Sequence, residues 1–177
     1  VKNKYSDEMR NCIYKTVENL VQMETSSDRP GMFLGKIQSG KTRAFIGVMG
    51  LALDNGYEMV IVLTKGTKAL AQQTLKRLEA EFWSFVEDDQ IQIYDIMNIP
   101  SNLTRYELNQ KIIIVAKKEV RNLTKLHELL SDIYPQLVEK KTLIIDDEAD
   151  FASVGFTRTK TEGIQIRKIA LRVDELR

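Results

Sequence analysis

Ile112-Ile-Ile-Val115 is a run of four β-branched residues with no polar interruption, and the same continuity recurs in Val60-Ile-Val-Leu63 and Leu143-Ile-Ile145. A strand with one face in water alternates apolar and polar residues, whereas a continuous run belongs to a strand covered on both faces, the situation of a parallel sheet. Working outward from these runs, extended and helical patterns take turns. Ser6 caps a leading helix, over about 6–24, whose apolar positions Met9, Ile13, Val17, Leu20 and Val21 recur at three- and four-residue spacing. The Thr25-Ser-Ser-Asp-Arg-Pro-Gly31 stretch breaks it. Met32 to Ile37 then reads as extended, Thr42 to Leu53 as helical, Met59 to Thr64 as extended and Thr67 to Phe85 as helical. Further strands are expected at Ile91 to Met97, Lys111 to Ala116 and Leu143 to Asp146, with a helix over Glu119 to Val138 that carries Pro135 near its end. This alternation predicts an α/β fold, a three-layer doubly wound and mostly parallel sheet whose ligands sit at the carboxyl ends of the strands.

The chain has 177 residues, the size of one domain over 1–177. With 43% hydrophobic and 29% charged residues it has enough apolar material to fold around a core. The net charge of +1 gives no long-range field to gather polyanions, so any contact with nucleic acid rests on a few local cations. Cys12 stands alone, which excludes an internal disulfide and points to a reducing cytoplasm; its place on the first helix assigns it to the core. His127, also alone, lacks the companions of a metal site and reads as a helix-surface residue. No stretch approaches the roughly 18 apolar residues needed to span a bilayer, so no membrane partner is expected. Val1 at the start and a helical pattern running out at Arg177 read as a fragment of something longer.

Gly35-Lys-Ile-Gln-Ser-Gly40-Lys41-Thr42 matches the P-loop pattern. The glycines, Gly35 and Gly40, let the backbone turn so that successive N–H groups around Gln38 and Ser39 face phosphate oxygens, and the helix that follows adds its positive end. Lys41 places an ammonium near the β- and γ-phosphates, and the Thr42 hydroxyl is an oxygen ligand for the bridging Mg2+. A second constellation, Thr142-Leu-Ile-Ile-Asp-Asp147-Glu148-Ala-Asp150, is an apolar strand that ends in carboxylates. Asp147 is the candidate magnesium-side carboxylate and Glu148 the candidate base that orients the attacking water. Asp146 has no assigned role, because neighbouring strand residues point to opposite faces.

Taken together, Gly35 to Thr42 and Asp147-Glu-Ala-Asp150 resemble motifs I and II of the superfamily two helicases, in their first RecA-like, P-loop NTPase domain. The wording Gln38-Ser-Gly-Lys-Thr42 with Asp146-Asp-Glu-Ala-Asp-Phe-Ala-Ser153 is similar to that of bacterial restriction and phage-defence ATPases. Val62-Leu-Thr-Lys-Gly-Thr-Lys-Ala-Leu70 is similar to motif Ia, which implies that Thr64, Lys65, Thr67 and Lys68 grip nucleic-acid backbone. Lys117 and Lys118, which also follow a strand, are candidates for the same surface. The resemblance implies an ATP hydrolase of the helicase or translocase type, with ATP and Mg2+ as cofactors, DNA rather than RNA as partner, and a second RecA-like domain that lies outside this chain and supplies an arginine to the γ-phosphate. On that reading the isolated chain binds nucleotide and turns it over weakly.

The chain departs from the family in carrying Lys36, Ile37 and Gln38 inside the loop and in placing no adenine-reading glutamine, since Gln22 sits at a helix end. It also stops before a Ser-Ala-Thr motif. Two other classes fit the same loop: a P-loop ATPase that acts on protein partners, and a nucleotide switch that does not hydrolyse.

Overall fold

The computed structural model describes residues 5–23, 25, 29–33, 40–65 and 67–147. They fall into two compact units divided between Tyr57 and Glu58.

The first unit is built on two helices, α1 (Asp7–Gln22) and α2 (Lys41–Asp54). Ser6 caps α1 as its sequence predicts, its hydroxyl accepting from the Met9 N–H. Ile13 and Val17, one turn apart, are the buried residues of α1. Cys12 is exposed, which corrects its assignment to the core: one residue before Ile13 is about 100° around the helix, away from the buried stripe. The helices approach closely at Gly47, where a Cβ would lie 2.5 Å from Ile13 Cδ1. Tyr57 closes the unit by donating its hydroxyl hydrogen to the Leu20 carbonyl. The expected strand from Met32 to Ile37 does not begin where the sequence places it, because Met32 and Phe33 are outside regular structure and are 83% and 38% exposed. An apolar triplet becomes a strand only when a neighbour supplies its ladder; residues 34–37 lie outside the described residues.

The second unit is an all-parallel sheet of four strands, β1 (Met59–Thr64), β2 (Ile91–Asp95), β3 (Lys111–Lys117) and β4 (Thr142–Asp146), in the order β2-β3-β1-β4. Every residue of β1 is buried, as are Ile112 to Ala116 of β3, as their uninterrupted apolar runs require. The third run departs from expectation: β4 is last in the strand order, with Leu143 buried and Ile144 and Ile145 half-buried. One face, with Met59, Ile61, Leu63, Ile112 and Ile114, packs against Leu123 and Leu126 of α6 (Val120–Glu128) and continues to Leu129 and Leu137. α3 (Lys68–Glu81) packs along β1, β2 and β3 without joining that cluster.

Three helical boundaries differ from expectation. The helix expected over Thr67 to Phe85 breaks at Phe82, which is 5% exposed, and resumes as α4 (Trp83–Glu87). The break buries Phe82 while Trp83 and Phe85 stay exposed, an arrangement one straight helical face does not offer. The helix expected over Glu119 to Val138 widens into a π-turn at Leu129–Ile133 and ends in a 3-10 turn at Pro135–Glu139. Proline forces the preceding residue out of helical geometry, and the wider turn buries both Leu129 and Tyr134. Tyr134 Oη then accepts from the Leu103 N–H and donates to the Pro100 carbonyl, each at 2.8 Å. α5 (Arg105–Asn109) was not expected, although Thr104-Arg-Tyr-Glu107 has the form of a capping box. His127 is exposed on α6, as its sequence context predicts. No helix among the described residues is long and apolar enough to cross a membrane.

Candidate functional site

α2 begins with a backbone that glycine makes possible. Gly40 has φ +78° and ψ 24°, a left-handed conformation that costs other residues energy. Among the described residues no side chain caps the helix, although the first amides of any helix lack intrahelical acceptors. An Asp or Ser cap would occupy those donors, and here the position is held by a residue without a side chain. Lys41 is exposed in the first turn and Thr42 is half-buried. The helix is fixed from below by Ala44, Phe45, Ile46, Val48 and Met49, all buried. An uncapped positive helix end, an adjacent ammonium and a hydroxyl oxygen form a donor set that suits a phosphate and a hard cation. Gly35, Gln38 and Ser39 lie outside the described residues.

The acidic strand end belongs to the second unit. β4 pairs with β1 so that Leu63 stands opposite Asp146, and the Asp147 N–H donates to the Leu63 carbonyl at 2.9 Å. Asp147 is half-buried; Glu148 lies outside the described residues. Asp146 has a partner that the sequence did not suggest: its Oδ1 is 2.8 Å from Lys118 Nζ, with 0% of the lysine side chain exposed. This corrects the assignment of Lys118 to a phosphate-binding surface. A lysine taken out of water needs a counter-charge, and Asp146 supplies it. Lys117 is engaged as well, its Nζ 2.7 Å from Glu119 Oε1. Asn122, 1% exposed, ties this corner together by accepting from the Lys117 N–H and donating to Glu119. The signal for these pairs was present but weak: charges that end continuous apolar strands are desolvated by the strands' own neighbours and tend to find each other.

The residues resembling motif Ia divide into three groups. Thr64, the last residue of β1, is 1% exposed and its hydroxyl has no hydrogen-bond partner among the described residues, so it does not share a surface with the others. Burial on both faces, the property that identified the strand, also encloses its last side chain. Thr67 caps α3, its Oγ1 accepting from the Leu70 N–H at 3.4 Å. Lys68 is exposed beside it and Lys65 is half-buried. The carboxyl end of the sheet therefore gathers Thr64, Lys117, Lys118, Asp146 and Asp147 around the end of β1, with Thr67 and Lys68 at the start of α3. Compared with protein-family models, curated proteins and solved structures, the chain matches none.

Proposed function

We propose that this chain is the Mg-ATP-binding motor domain of a nucleic-acid-dependent ATPase, a helicase or translocase that acts on DNA in the cytoplasm. On this reading the four-stranded sheet is the core of a three-layer, doubly wound RecA-like domain. The observation that carries the proposal is the start of α2, where a glycine with φ +78° and no capping side chain precedes Lys41 and Thr42. Carboxylates at the end of a parallel strand support it, because hard cations take oxygen ligands.

Lys41 holds the β- and γ-phosphates, while amides from Gly35 to Gly40 cradle them. Thr42 and Asp147 are the residues that would offer oxygen ligands to Mg2+, whose chemistry would be to neutralise charge on the phosphates. Glu148 orients the attacking water. A second RecA-like domain supplies the arginine that completes the site. Lys65, Thr67 and Lys68 contact nucleic-acid backbone, a mode that carries no base information.

The test is titration of the chain with ADP and ATP in the presence of Mg2+. Lys41→Ala removes a charge-assisted contact of about 1.5–3 kcal/mol and lowers affinity about ten- to a hundredfold. Affinity that survives this change intact overturns the phosphate role of Lys41. When the chain is joined to its second domain, ATPase activity rises on addition of DNA. Unchanged activity with every polynucleotide, at normal nucleotide affinity, instead assigns the ATPase to a protein substrate. The burial of Thr64 removes a hydroxyl from the surface and the pairing of Lys117 and Lys118 leaves fewer cations for nucleic acid than the sequence promised, and these are the observations on the side of that second reading.

A further inference from the structure

β3 and β4 are the two neighbours of β1, so a bond from the residue after β3 to the last residue of β4 passes over the end of β1. Lys118 makes that crossing. Its side chain is 0% exposed and its Nζ lies 2.8 Å from Asp146 Oδ1, a carboxylate whose side chain is itself 11% exposed. Two backbone bonds anchor the same crossing on β1: the Lys118 N–H donates to the Thr64 carbonyl at 2.8 Å and the Asp147 N–H to the Leu63 carbonyl at 2.9 Å.

Asp146 ends β4, and Asp147 is the first residue of the turn that follows, its N–H still held on the Leu63 carbonyl. Fixing the Asp146 carboxylate on Lys118 therefore fixes one end of the peptide unit from which the Asp147 side chain leaves the backbone. Cohesion alone is a poor explanation for the pair. A buried ion pair is often no more stabilising than apolar residues of the same volume, and the interiors of the three strands here are apolar. The attested use of such pairs is to specify one arrangement among several that pack equally well.

We propose that Lys118 is a positioning residue for the acidic strand end, its ion pair with Asp146 holding the backbone from which Asp147 meets the Mg2+ of a bound nucleotide. The proposal rests on the Mg-nucleotide reading above. Residues that orient a metal ligand typically change metal affinity by about 10- to 100-fold when replaced.

The experiment replaces both partners together, Lys118→Met with Asp146→Leu, so that no unpaired charge is left buried. ADP binding is measured with Mg2+ and with EDTA, and amide hydrogen exchange at Asp147 is followed without nucleotide. The expected result is unchanged ADP affinity in EDTA, loss of about tenfold or more of the gain that Mg2+ confers, and faster exchange at Asp147. Lys118→Arg alone, which keeps the charge pair, retains most of the Mg2+ gain. Should the double variant fail to fold, the isosteric Asp146→Asn carries the same measurements. Either folded variant with the full Mg2+ gain and normal Asp147 exchange overturns the proposal. A wild-type chain that binds ADP under neither condition brings down the nucleotide reading instead, and exchange at Asp147 then decides by itself whether Lys118 holds that backbone.

Discussion

Thr104 and Glu107 hold the start of α5 through a closed set of bonds. The Glu107 carboxylate accepts from the Thr104 N–H at 2.7 Å and from its hydroxyl at 2.6 Å, and the Glu107 N–H donates back to Thr104 Oγ1 at 3.2 Å. The side-chain bond from Thr104, and then the backbone bond, favour the ionised carboxylate and hold Glu107 below its ordinary value of 4.5. A carboxyl lowered in the folded state contributes stability that is present above the ordinary value and is lost as pH falls through the folded one. Glu107→Gln therefore lowers the urea midpoint slightly at pH 7. The gap to wild type narrows below pH 4.5 and closes once the wild-type carboxyl is protonated, and a gap constant across that range would contradict the assignment. This box was legible in Thr104-Arg-Tyr-Glu107 as a sequence. Lys118 shows the opposite case at the same scale: its neighbours along the chain describe a surface lysine, and its burial comes from a strand that ends 28 residues later in the sequence.

At the scale of elements, the central strands β1 and β3 were the most readable part, since burial on both faces leaves its mark on every residue of a run. Helix ends were less readable, because Phe82 and Tyr134 interrupt helices to reach cores that local periodicity does not describe. Helix-to-helix packing in the first unit turns on Gly47, where an added Cβ would meet Ile13 Cδ1 at 2.5 Å and the Tyr5 ring at 3.3 Å. Gly47→Ala gains about 1 kcal/mol of helix preference and loses about 1–3 kcal/mol to overpacking, so it is expected to lower the melting temperature. In an Ile13→Ala background the same substitution fills space and becomes stabilising. A double-mutant cycle checks this directly, and additive effects would show that Gly47 is no contact point.

For the molecule as a whole, a net charge of +1 makes any attraction to nucleic acid a property of a few placed cations. Lys68, exposed at the start of α3, is expected to reduce the salt dependence of binding when changed to alanine. The slope of log K against log salt falls by about 0.9 for duplex or about 0.7 for single strands, irrespective of sequence. Lys117→Ala leaves that slope unchanged, because its ammonium is already matched by Glu119. Equal salt slopes for wild type and Lys68→Ala would remove this helix end from the contact surface.

By itself the sequence determined the parallel α/β sheet, the cap at Ser6 and the glycine turn before Lys41, because each depends on a residue's own conformational freedom or on apolar pattern along a short stretch. Only the tertiary structure decided which charges meet. Lys118 finds Asp146 and Thr64 is closed off, because strand order brings β3 and β4 to either side of β1. Solvation of a side chain is set by what surrounds it in space, and for these residues most of those neighbours are distant in sequence.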